Sequence, residues 1–92
     1  MHWIDEVLEL EAFHSRMIEE IGAYENRGQS KTTKGWSIRD TARRKAISPG
    51  KASEDLRLAK FFRLNTVLCR KLDRKEALFS LRCYGLVKIG GK

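Results

Sequence analysis

The 92-residue sequence is notable first for what it lacks. No run of about eighteen apolar residues is present, and no signal-peptide pattern, so neither a membrane span nor secretion is expected. Its two cysteines, Cys69 and Cys83, stand far apart without CxxC spacing and read as reduced thiols. His2 and His14 belong to no ligand cluster, so no metal site and no cofactor are expected. No Ser/His/Asp or Cys/His set suggests catalysis, and the sequence does not read as an enzyme. Gly28 and Gly35 are followed by Gln29 and Trp36, so the P-loop spacing is absent. Few aromatics lie in the basic part to stack bases, which disfavours RNA.

What is present is an uneven charge. The net charge is +7. Residues 1–26 hold seven acids and one base, a charge of −6, whereas residues 27–92 hold eighteen bases and five acids, +13. A positive two-thirds suits a polyanion, because Lys and Arg replace the counterions condensed on phosphates. The acidic first third is expected to face away from it, pack on the basic part, or meet a protein.

A single all-α domain is expected, with four parts. Residues 1–26 carry residues of an apolar stripe at three- and four-residue steps (Trp3, Val7, Leu10, Phe13 or His14, Met17, Ile21, Tyr24) and predict one amphipathic helix. Its second half is expected to pack in the core. At its start, Trp3, Ile4, Val7 and Leu8 are candidates for a dimer or partner interface, since so short a domain would not cover the whole helix. Residues 27–35 form a polar basic loop, in which Lys31 and Lys34 are placed to meet phosphates.

Residues 36–85 hold the motif the rest is organised around. Ser37 with Asp40 predicts a capped helix start, and Ser48-Pro49 predicts a second. Ala42, Ala46, Ile47, Ala52 and Leu56 have the spacing of a helix-turn-helix, two helices in close steep contact. The second helix would bury Ala52, Leu56 and Ala59. Its opposite face would carry Gly50, Ser53, Glu54 and Arg57, with Lys51 and Lys60 at the flanks. Arg57 suits guanine and Lys51 a phosphate at the helix start, while Glu54 suits either cytosine N4 or, equally, an ion pair with a nearby Arg on the surface. Arg39 and Ser48 complete the expected DNA-contacting set. The apolar run 61–72 is expected to close the core. Asp73 and Glu76 mark a last helix ending at Gly85, followed by a tail, 86–92, that either pairs as a strand or packs locally.

Two stretches carry a family resemblance: Gly35-Trp36-Ser37-Ile38-Arg39-Asp40-Thr41-Ala42, and Ile47 to Ala59 with its Ser53-Glu54-Asp55-Leu56-Arg57-Leu58-Ala59 ending. They resemble the helix-turn-helix segment of ParB-like partition proteins, and Lys75-Glu76-Ala77-Leu78-Phe79-Ser80-Leu81 looks like the helix that follows it there. The resemblance covers residues 35–84 and implies DNA binding through the helix beginning at Pro49. Ala46 stands where helix-turn-helix segments usually have Gly. Nothing before Gly35 looks like the family's nucleotide-binding domain, and its C-terminal dimerisation domain has no counterpart, so nucleotide-driven clamping is not implied.

The expected function is therefore that of a non-enzymatic binder of double-stranded DNA, cytoplasmic and nucleoid-associated. It would be a small transcriptional regulator or accessory factor of the kind found in phages and mobile elements. The alternative is an adaptor or inhibitor module working through the acidic helix.

Overall fold

The computed structural model describes residues 2–22 and 35–89. These form five helices and no strand: α1 (Trp3–Ile21), α2 (Ile38–Arg44), α3 (Pro49–Leu64), α4 (Thr66–Arg70) and α5 (Arg74–Tyr84). The expected all-α class is what the chain adopts. Every other helix packs on α3.

α1 begins on His2, whose Nδ1 accepts the Ile4 N–H at 3.2 Å, with Asp5 and Glu6 favourably placed against the helix dipole. It ends at Ile21, where Gly22 turns the chain at φ 103°. Residues 23–26, expected to continue it, and the 27–34 loop lie outside the described residues. The Trp36 N–H donates to the Gly22 carbonyl at 2.8 Å, so the chain returns beside the end of α1.

The expected division of α1 holds only in part: its second half is half-buried at Phe13, Met17 and Ile18, while its start lies in the core. Trp3, Ile4 and Val7 are buried, and Leu8 is half-buried against the same core. They pack with Leu58, Ala59, Phe61 and Phe62 of α3, Cys69 of α4, and Ala77 and Leu81 of α5. The Trp3 indole N–H donates to the Leu72 carbonyl at 3.0 Å. The C-terminal third of the chain folds back under the first turns of α1 and covers what was expected to await a partner. The exposed apolar end is instead Ile21, at 52%.

α2 has only seven residues, too few to persist alone. Its start is a full capping box: the Ser37 hydroxyl oxygen accepts the Asp40 N–H, and an Asp40 carboxylate oxygen accepts the Ser37 N–H at 2.9 Å. Those bonds from Ser37 hold the Asp40 carboxyl below its ordinary pKa. Thr41 and Ala42 are buried, while Ile38 is at the surface.

The turn after α2 is a Schellman motif. The Ile47 N–H reaches back to the Ala42 carbonyl at 3.0 Å, and the Ala46 N–H to Arg43 at 3.2 Å. This geometry requires a left-handed residue, and Ala46 takes it at φ 57°. Ile47 then packs beside Ala42, Leu10 and Ala52 in a second, smaller core.

α3 starts as expected, with the Ser48 hydroxyl accepting the Lys51 N–H at 3.1 Å and Pro49 in the first turn. Its buried side differs from the expected one. Ala52 and Ala59 are inside, but so are Asp55, Leu58, Phe61 and Phe62, while Leu56 is only half-buried. The side facing inward therefore runs through Asp55 and Leu58.

Asp55 is 3% exposed, and its charge is met from two elements. Lys51 Nζ donates to it at 2.8 Å, and the Arg74 guanidinium of α5 at 2.5 Å. Arg74 also donates to Glu54 at 3.2 Å, and Arg82 stands 3.7 Å from the other Glu54 oxygen. Burial alone would lower the Arg74 pKa, but its bonds and charge attraction to Asp55 and Glu54 together outweigh that and raise it.

α3 stops at Asn65, and of the expected core-closing run Leu64 and Val67 are exposed. The buried Asn65 amide holds the tail: its Nδ2 donates to the Val87 carbonyl at 3.0 Å, and its Oδ1 accepts the Ile89 N–H. The tail thus packs locally. α5 carries the Asp73–Glu76 capping box and ends on Gly85 at φ 66°, with Tyr84 exposed.

Two stability changes follow. Replacing Ala46 by Gly relieves the left-handed strain, which costs about 1–2 kcal/mol in an L-residue, against a smaller entropic loss. The variant should gain about 0.5–1 kcal/mol in urea unfolding. Asp55→Ala leaves two cations without their buried partner and should cost about 3 kcal/mol in the same measurement.

Candidate nucleic-acid interface

Gly50, Ser53, Arg57 and Lys60 form a stripe along α3 on the side turned away from Asp55 and Leu58. Arg57 and Lys60 are exposed, and no acid among the described residues pairs with either. A Cβ added at Gly50 would meet nothing within 4 Å. The fold itself therefore does not require glycine there, although a closely approaching partner would.

Two residues expected on this stripe are drawn off it. Lys51 is bonded to Asp55, and Glu54 to Arg74 with Arg82 near, so both lie on the α5 side of α3. Ser48 is exposed but uses its hydroxyl as the cap. Lys31 and Lys34 lie outside the described residues.

Arg39 is exposed on α2 and, with Arg43, Ile47 and Pro49, lines a groove of about 380 Å³ against the start of α3. Arg43 is 3.7 Å from Asp40, an exposed and weak pairing that leaves it able to turn to another anion. Arg44 and Lys45, next in sequence, are exposed too. The short helix and its turn thus carry four cations beside the α3 start.

The groove on the other side of the stripe, about 320 Å³, is bounded by α1 and α2. Ile38, Leu56 and Leu86 supply its apolar surface, and Ser53, Arg57 and Lys60 one polar rim. Glu11 and His14 come from α1. Glu11 is already paired with Arg63, whose Nε donates to it at 2.8 Å.

What sets the position of α2 is a buried hydroxyl that sequence reasoning did not single out. Thr41 is fully buried, and its Oγ1 lies 2.6 Å from both Trp36 Nε1 and His14 Nδ1. The indole N–H can only donate, so Thr41 accepts from it and keeps one lone pair and its own proton for the bond to His14 Nδ1, whose direction follows the His14 tautomer. Burial lowers the His14 pKa from 6.5. The Phe13 ring meets Trp36 edge-on at 6.1 Å, and Lys45 Nζ stands 4.6 Å from its centroid. The signal in the sequence for this contact is Thr41, a β-branched hydroxyl inside a short basic helix.

Among the described residues, no group of three or more His, Cys, Asp or Glu is gathered as metal ligands would be, and no helix is long and apolar enough to cross a membrane. Cys69 is buried, which pushes its thiol pKa up, and Cys83 is exposed; both are free. Comparisons with protein-family models, curated proteins and solved structures give no match.

The His14 arrangement has a pH consequence. Its pKa is lower folded than unfolded, so below about 6.5 the unfolded chain binds the extra proton more readily. Its contribution is constant above that pH and is lost as pH falls through it. Glu11, Arg57 and Lys60 border the same groove, so the decline should be measured at fixed ionic strength. Urea unfolding at pH 7.5 and 5.5 should show lower stability at 5.5. In His14→Asn, whose amide oxygen can still accept from Thr41, that difference should shrink.

Proposed function

We propose that this chain is a non-enzymatic, helix-turn-helix binder of double-stranded DNA, with α3 entering the major groove. The observation that carries this reading is the stripe of Gly50, Ser53, Arg57 and Lys60, without an acid partner among the described residues, on a helix that follows a tight, capped turn. In that docking, the first helix crosses the backbone and the second reads bases. Arg39 and Arg43 of α2 would hold phosphates, and Arg57 would make the bidentate contact to guanine. The resemblance to the ParB-like motif supports the same assignment of helices. Glu54 and Lys51, committed to α5 and Asp55, are left out of the base-reading set.

A small regulator or DNA-binding accessory factor is the role that fits, nucleoid-associated and of phage or mobile-element type. One short stripe spans only a few base pairs, so a longer specific site calls for a second copy or a protein partner. A second reading, an adaptor working through α1, retains support from its exposed acids Asp5, Glu6, Glu9, Glu19 and Glu20. The apolar anchors that reading relied on are buried.

Selection of bound duplexes from a random pool, followed by anisotropy titrations, tests the proposal. Arg57→Ala should weaken the selected site by about 1–3 kcal/mol and random DNA far less. Arg39→Ala should weaken both alike and lower the salt dependence by about one phosphate contact. An absence of binding to any duplex at low salt would end the DNA reading and favour the adaptor.

A further inference from the structure

The groove of about 320 Å³ between α1, α2 and α3 has the make-up of a small-molecule site. Its size lies at the lower end of ligand pockets. Ile38, Leu56 and Leu86 offer apolar surface. Ser53, Arg57 and Lys60 converge on it from three successive turns of one helix, and His14 and Ser15 from α1. Its one acid, Glu11, is neutralised by Arg63, while Arg57 and Lys60 have no acid partner among the described residues. The His14 Nδ1 is occupied by Thr41, so the nitrogen left for a ligand is Nε2. The groove therefore offers apolar contact, several donors and an excess of positive charge.

We infer that this groove binds a small apolar carboxylate, its ring or chain against Ile38, Leu56 and Leu86 and its anionic end between Arg57 and Lys60. A neutral molecule of the same shape would leave the two cations unengaged, which sets the specificity. Binding itself is independent of the proposed function. Its consequence rests on that reading: Arg57 and Lys60 belong to the α3 stripe, so a bound carboxylate withdraws them from DNA and acts as an effector.

The test uses 1-naphthoate and its neutral counterpart 1-naphthylmethanol, each titrated into the full chain and followed by amide proton–nitrogen NMR. Naphthoate should shift Ser15, Ser53, Leu56 and Leu86 saturably, and naphthylmethanol should bind about tenfold more weakly, the loss of a charge-assisted bond. The double variant Arg57→Gln with Lys60→Gln should bring naphthoate down to the level of naphthylmethanol, without changing the spectrum elsewhere. Shifts centred away from the groove, equal binding of both probes, no saturable shift, or indifference to the double variant would each overturn the inference. An anisotropy competition then separates the two proposals. Naphthoate binding by a chain that binds no duplex upholds the groove and removes the DNA reading. Duplex binding without naphthoate binding overturns the groove and leaves the DNA reading intact.

Discussion

The buried carboxylate of Asp55 fixes how α3 is turned about its own axis. A charge 3% exposed is tolerable only where it is fully met, and its partners come from one turn earlier in α3 and from α5. With Asp55 facing Arg74, Leu58 and Phe62, three and seven residues on, face the core beneath α1. Ser53, Arg57 and Lys60 are then necessarily outward. Asp55 and Glu54 also take up Lys51, Arg74 and, more weakly, Arg82, so the free positive charge of α3 is narrower than its composition implies.

Given that orientation of α3, the remaining freedom belongs to α2, and three local devices remove it. The Ser37–Asp40 box fixes its start, the Schellman turn at Ala46 fixes its end, and the Thr41 hydroxyl ties its middle to α1 through His14 and to the incoming chain through Trp36. Accepting from the indole leaves the hydroxyl free to bond the imidazole as well, so one buried oxygen holds two aromatic partners. A helix of two turns thus becomes a fixed part of the surface. The strained Ala46 indicates how firmly the flanking contacts dictate the turn, since the motif forms even without the residue type that suits it best.

The features legible in the sequence were the ones decided within four or five residues. Ser37 with Asp40, Ser48 with Pro49, Asp73 with Glu76, and Gly85 all lie at the helix ends they mark. The exposed stripe was largely legible as well, because helical period alone groups Gly50, Ser53, Arg57 and Lys60. Where the reading failed, the deciding partner was distant. The burial of Asp55 depends on Arg74, some twenty residues away, and that of Trp3, Ile4 and Val7 on α5 and Leu72, at the far end of the chain, whereas the pairing of Glu54 with an arginine was one of the two expectations for it. An acid in a basic helix looks like surface until its cation is located. An apolar helix start looks unpartnered until the chain is seen to return to it.

The same distant pairings bear on how a polyanion would meet this surface. Exposed acids run along α1, and exposed bases along α2 and the free side of α3. Glu11 spends its charge on Arg63 and so softens the boundary between the two where α1 borders the stripe. A duplex approaching α3 is attracted by Arg39, Arg43, Arg57 and Lys60 and repelled from α1, which restricts its orientation before any base is touched. On the proposed reading the acidic helix would contribute little affinity for DNA and would define the edge of the face that meets it. That role would require the acids to remain exposed while the apolar side of α1 is covered, and the chain has this arrangement: Trp3, Ile4, Val7 and Leu10 inside, Asp5, Glu6 and Glu9 outside.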